Sequence, residues 1–87
     1  MTELSLPQLE LLRKAILRVL SANDTGRGLT PDVIMHFLPA EGFTVTADIV
    51  FHELQFMERG QFVQGITNRL TPNLRSYRIT LEGTRQI

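Results

Sequence analysis

The apolar residues of this chain change their spacing once, near Gly60, and that change limits the folds open to it. Before it they recur at three- and four-residue steps, the period of a helix with one buried face; after it they alternate, the period of a strand with one buried face. A first helix is expected over 6–21, where Leu9, Leu12, Ile16, Val19 and Leu20 share a face and Arg13, Lys14 and Arg18 fall largely on the other side. It opens on Ser5-Leu6-Pro7-Gln8: Ser5 caps, Pro7 suits a first turn, and Gln8 stands where a capping box needs it. Ser21 to Gly28 is loop chemistry. Thr30-Pro31-Asp32 supplies a cap, a proline at the first position and an acid at the positive end of the dipole, so a second helix is expected over 31–38. Val33, Ile34, Phe37 and Leu38 give its apolar face, and Pro39 and Gly42 end it.

A third helix is expected over 46–58, with Thr44 or Thr46 at its start and Asp48 in its first turn. Val50, Leu54 and Met57 form the core stripe, Ile49 and Phe56 widen it, and Gly60 has the position of a left-handed cap. Two strands follow, over 61–66 and 76–81, the second with Tyr77, Ile79 and Leu81 on one face. Thr71-Pro72-Asn73 is the turn of the long connection between them, and Thr80-Leu81-Glu82-Gly83 leads into a last short turn. Residues 1–87 are read as one domain, α+β and mainly helical: a three-helix core followed by a two-stranded hairpin.

Several functions are disfavoured. The 43% hydrophobic content suits a globular chain. No apolar run approaches the roughly 20 residues of a membrane span. The start, Met1-Thr2-Glu3-Leu4, lacks the basic and apolar stretches of a secretory leader, and there is no cysteine for disulfides or a thiolate metal site. A cytoplasmic protein without cofactor is expected. His52-Glu53-Leu54-Gln55-Phe56 begins like the zinc motif His-Glu-x-x-His, but Phe56 stands where the second imidazole must be. His36, among Val33, Ile34 and Phe37, is read as a half-buried packing residue. Gly26-Arg27-Gly28 is too short for a phosphate loop and no lysine follows it. The chain is not expected to be an enzyme.

The order helix, helix, helix, strand, wing, strand resembles the winged-helix family. Val50, Leu54, Met57, Glu58, Arg59, Gly60, Phe62 and Val63 resemble its run Leu-x-x-Leu-Glu-x-x-Gly-Leu-Val. Tyr77-Arg78-Ile79-Thr80-Leu81-Glu82-Gly83 is similar to the Tyr-x-Leu-Thr-x-x-Gly that closes the wing in MarR-like and PadR-like regulators. The small form also looks like winged-helix proteins of Mu-like phages. The resemblance implies a winged helix-turn-helix that binds double-stranded DNA, a transcriptional regulator with helix 46–58 in the major groove and the wing on the backbone. Its outward positions would be Thr46, Ala47, Asp48, Phe51, His52, Gln55 and Arg59, with Gln55 suited to adenine and Arg59 to guanine or phosphate. Arg69, Arg75 and Arg78 would meet phosphate from the wing. Such regulators dimerise through helices outside this core, so a homodimer here would have to use the first helix or the wing.

The charge distribution gives a competing reading. Residues 1–58 carry four basic and eight acidic side chains, while residues 59–87 carry five arginines against Glu82. The third helix holds Asp48, Glu53 and Glu58 and no base before Arg59, a poor face to set against phosphate. Phe51, off the core stripe, is either buried against a neighbour or an exposed anchor. Leu70 and Leu74 beside the wing turn either fold back or meet another chain. On that reading the domain is a protein-interaction module that uses Phe51, Leu70 and Leu74.

Overall fold

The computed structural model describes residues 4–24, 26–67, 69–70 and 74–87. Helix α1 (Leu6–Ala22) starts at the expected capping box, in which the Gln8 N–H donates to the Ser5 hydroxyl and the Ser5 N–H to the Gln8 side chain. Its inner face buries Leu12, Ala15, Ile16, Leu17, Val19 and Leu20. Helix α2 (Pro31–Phe37) is capped by the Thr30 hydroxyl and passes into a 3-10 turn, Leu38–Glu41. Helix α3 (Ala47–Arg59) has Thr46 as its cap, accepting from the Ile49 N–H at 3.3 Å. The hairpin β1 (Val63–Thr67) and β2 (Arg75–Ile79) is antiparallel and in register from Val63–Ile79 to Thr67–Arg75. A short helix α4 (Leu81–Thr84), capped by Thr80, follows. This is a winged helix.

Each strand lies further along the chain, or starts earlier, than its apolar run suggests. Gln61 and Phe62 belong to the turn after α3, because the Gln61 and Phe62 N–H groups donate to the Glu58 and Met57 carbonyls. Arg75 joins β2 opposite Thr67, so the connection narrows to 68–74; the turn expected at Thr71-Pro72-Asn73 lies outside the described residues. Leu81 does not continue the face of Tyr77 and Ile79: the chain has already turned into α4, and Leu81 is exposed. The left-handed residue after α3 is Gln61 (φ 66°), not Gly60 (φ −82°). Gly60 is needed for room, since a Cβ there would press into the Phe62 ring.

A third extended segment was not legible from its loop-like surroundings. Leu29 pairs with Tyr77, each donating its N–H to the other's carbonyl at 2.9 and 2.8 Å. The approach is close enough that a Cβ on Gly28 (φ +75°) would sit 2.7 Å from the Tyr77 carbonyl oxygen. Only glycine fits there on both counts.

The core lies between α1, α2, α3 and the inner face of the hairpin, with Ile34, Leu38, Val50, Leu54, Met57, Val63 and Tyr77 closing over α1. In α2 only one diagonal of the expected apolar face goes inward: Ile34 and then Leu38 are buried, while Val33 and Phe37 are exposed. His36 is exposed rather than half-buried, because it lies beside the outward diagonal. Phe56 does not widen the core either; it is 48% exposed and lies beneath a guanidinium.

Candidate nucleic-acid interface

Helix α3 divides sharply into two faces. Val50, Glu53, Leu54 and Met57 point into the protein. At about 100° per residue, Asp48, His52, Gln55 and Arg59 fall within one narrow outward arc. Asp48, His52 and Arg59 are exposed and Gln55 is half-buried. Phe51 and Phe56 flank this stripe on opposite sides. Thr46 stands at its head, but its hydroxyl is engaged in capping.

The acidic character of α3 is largely cancelled by pairing. Glu53, only 4% exposed, faces α1, where the Arg13 Nε donates to it at 2.6 Å. The Arg13 guanidinium lies 3.9 Å above the Phe56 ring, so one cation serves both side chains. Glu58 is gripped by Arg75 of β2 through two parallel hydrogen bonds of 3.2 and 2.9 Å. Asp48 remains exposed at the positive end of the helix dipole. The signal for Glu53 was present in the sequence, since it lies three residues after Val50 and four before Met57, on the core side. Nothing in the sequence indicated its partner forty residues away.

The wing arginines differ among themselves. Arg69 is exposed and has no ion pair among the described residues. Arg75 is half-buried on Glu58, with its guanidinium 5.5 Å from the centre of the Tyr77 ring. Arg78, on the opposite face of β2, grips Asp24 with bonds of 3.0 and 3.2 Å. That hydrogen bond holds the Asp24 carboxyl below its ordinary range. Tyr77 is fully buried, and burial pushes its phenol above the ordinary value. Its hydroxyl makes no well-formed hydrogen bond among the described residues.

Phe51 and Leu74 are brought together. They line a groove of about 350 Å³ between the first turns of α2 and α3 and the base of the wing, with Asp32, Asp48 and Arg75 also on its walls. Phe51 is 38% exposed there, so its ring both packs toward α2 and the wing base and presents an edge to the surface. Leu70, 91% exposed, is not part of that lining. Among the described residues no group of three His, Asp or Glu side chains is placed to hold a metal ion, and no helix is long and apolar enough to cross a membrane.

No family model matches the chain, and no curated protein matches it in sequence. Solved structures do match in shape. A variant of S. aureus MepR bound to an oligodeoxyribonucleotide superposes with a TM-score of 0.70 at 20% identity, over 85% of this chain and 49% of that one. The PcaV transcriptional regulator from Streptomyces coelicolor, in complex with its natural ligand, gives 0.66 at 18% identity, over 97% of this chain and 50% of that one. The likeness is one of fold, and the fold that this chain shares with both proteins is a winged helix. The chain spans about half the length of the proteins it matches.

Proposed function

We propose that this chain is a non-enzymatic, DNA-binding winged-helix regulator that lays α3 in the major groove of double-stranded DNA and sets its wing against the backbone. The observation that carries this reading is the outward stripe of α3. His52, Gln55 and Arg59 face away from the core, while Glu53 and Glu58, two of the three carboxylates that argued against DNA, are neutralised by Arg13 and Arg75, leaving Asp48 exposed in the stripe. The structural likeness to a protein captured on an oligodeoxyribonucleotide supports the same reading by analogy of fold. In this arrangement Gln55 reads adenine and Arg59 a guanine or a phosphate. Thr46 and Asp48 border the first base contacts, with the Asp48 carboxylate able to accept from a cytosine amino group. Arg69 meets phosphate from the wing. A homodimer would place two such helices on successive half-sites, and a protein of this kind works in the compartment that holds the DNA, which for a bacterial-type regulator is the cytoplasm.

The groove between Phe51 and Leu74 favours a second reading, a protein partner on the same face. Fluorescence anisotropy with a mixed-sequence duplex of about 30 base pairs, at about 50 and then 200 mM salt, separates the two. Salt-sensitive binding supports the DNA reading. A flat trace at tens of micromolar protein and low salt overturns it and leaves the protein partner.

A further inference from the structure

We propose that Arg75 is a positioning residue of the wing and not a phosphate ligand: clasped by Glu58 in the space left open by Gly65, it fixes the angle between the hairpin and α3. The proposal rests on the DNA reading for its functional consequence, and on packing alone for its structural one.

Three observations converge on it. The Arg75–Glu58 contact is a fork on a fork, with Nη1 of the guanidinium donating to Oε1 and Nη2 to Oε2 of the carboxylate. Such a pair fixes direction as well as distance. It joins the first residue of β2 to the last turn of α3, so it ties together the two elements that must meet DNA at a set angle.

Gly65 makes the clasp possible. A Cβ at that position would collide with the Arg75 guanidinium and the Glu58 carboxylate together. Gly65 has no positive φ, so its backbone does not call for glycine; a Cβ there would instead push the flexible ends of Arg75 and Glu58 out of the clasp. The Tyr77 ring, opposite Gly65 in the register, completes the seat.

The outer face of β2 is tied independently. Arg78 is held by Asp24 in the loop after α1, and Leu29 pairs with Tyr77 from the same region. The strand is therefore secured toward α3 by Arg75 on one face, and toward the α1–α2 loop by Arg78 on the other face and by the Leu29 backbone along its edge. A phosphate that took the two Arg75 nitrogens now turned to Glu58 would have to displace that carboxylate and leave it bare at the end of the recognition helix. Arg59 and Arg69 carry no ion pair among the described residues and need no such exchange.

The test is a set of single substitutions in the whole chain, read by duplex affinity and its salt slope. Arg75→Ala and Glu58→Ala should each weaken binding, by about fivefold, with the slope unchanged. Arg75→Lys, which keeps the charge but loses the fork, should behave like Arg75→Ala. The exchanged pair, Glu58→Arg with Arg75→Glu, should recover most of the affinity. Arg69→Ala should instead lower the slope by about one. A phosphate ligand predicts the opposite pattern: tighter binding for Glu58→Ala, near-normal binding for Arg75→Lys, and a shallower slope for Arg75→Ala. That pattern overturns the proposal. If the wild-type chain binds no duplex, the DNA reading fails and the clasp is judged by amide hydrogen exchange. Gly65→Ala, Glu58→Ala and Arg75→Lys should each speed exchange of the Gln64 and Ile66 amides, which face β2 in the hydrogen-bonded pairs of the ladder, more than those of α1. Unchanged wing exchange in all three overturns it.

Discussion

Removing Arg13 isolates a carboxylate that has almost no water of its own. The Glu53 side chain is 6% exposed against 24% for Arg13, so the two partners of the pair are not equivalent. Truncating one partner of a fully buried pair costs about 3–5 kcal/mol, because the other charge stays behind unpaired. Arg13→Ala also opens the site on the α1 side, which lets water reach the carboxylate, and the lower end of that range applies. Loss of the contact with the half-exposed Phe56 ring adds roughly 0.5 kcal/mol. The expected cost is therefore about 3 kcal/mol, a substantial part of the roughly 5–10 kcal/mol that stabilises a domain of this size. Glu53→Leu should cost much less, about 1 kcal/mol or below, since Arg13 is long and already borders solvent and can turn outward. The double variant should be closer to Glu53→Leu than to Arg13→Ala. Urea denaturation at neutral pH measures all three, and the sign of the asymmetry is the decisive quantity. Equal costs for the two single changes, or a loss below about 0.5 kcal/mol for Arg13→Ala, would refute the account of Glu53 as a buried charge held by one partner.

Leu54 is fully buried at the centre of the α3 stripe, so Leu54→Ala should lower stability by about 2–5 kcal/mol in the same assay. Tyr77 is the single tyrosine of the chain, so its ionisation can be followed by ultraviolet absorbance without overlap from another phenol. Burial raises its pKa above the ordinary 10.0 in the folded chain, so the unfolded chain releases its proton first as the pH climbs. This part of the stability is intact below pH about 10 and lost above it, toward the folded value; Tyr77→Phe should remove that alkaline slope from the urea midpoints. Gln55→Ala should relax sequence preference at one base pair while leaving binding to unrelated duplex nearly unchanged, as a competition series with single-base variants would show.

The helix ends were legible because their chemistry is local. Ser5 with Gln8, and Thr30 before Pro31, form caps that need only neighbours in sequence, and the structure shows those hydrogen bonds. The α3 stripe was legible because a thirteen-residue helix allows one consistent choice of buried face. In α2, with seven residues, two adjacent diagonals satisfy the period equally, and packing against α1 and α3 selected Ile34 and Leu38 over Val33 and Phe37. Leu29 carried no period at all; it is extended because the Tyr77 backbone had an open edge and Gly28 let the chain come close. Phe56 looked like core by spacing, yet its ring serves as a platform for Arg13, a contact across forty-three positions that no local pattern encodes.

Charge was the feature that sequence treated most misleadingly, and correcting it changes the salt dependence to expect. A tally along the chain sees an acidic front and a basic back. Among the described residues, five of the nine lysines and arginines (Arg13, Arg18, Arg75, Arg78 and Arg85) are each joined to a carboxylate. On the α3 and wing surface that leaves Arg59 and Arg69 as cations without an ion pair among the described residues. Two phosphate contacts give a slope near −1.8 on a log–log plot, so a fourfold rise in salt should weaken duplex binding by about tenfold. Had Arg75 and Arg78 also been free to meet phosphate, four contacts would double the slope, and the same rise would cost more than about a hundredfold. The two values are well separated in one anisotropy titration per protomer. A hundredfold loss would mean that DNA breaks the Glu58 and Asp24 pairs on binding, and that the ion pairs of the free domain are a store of cations and not a frame for the wing.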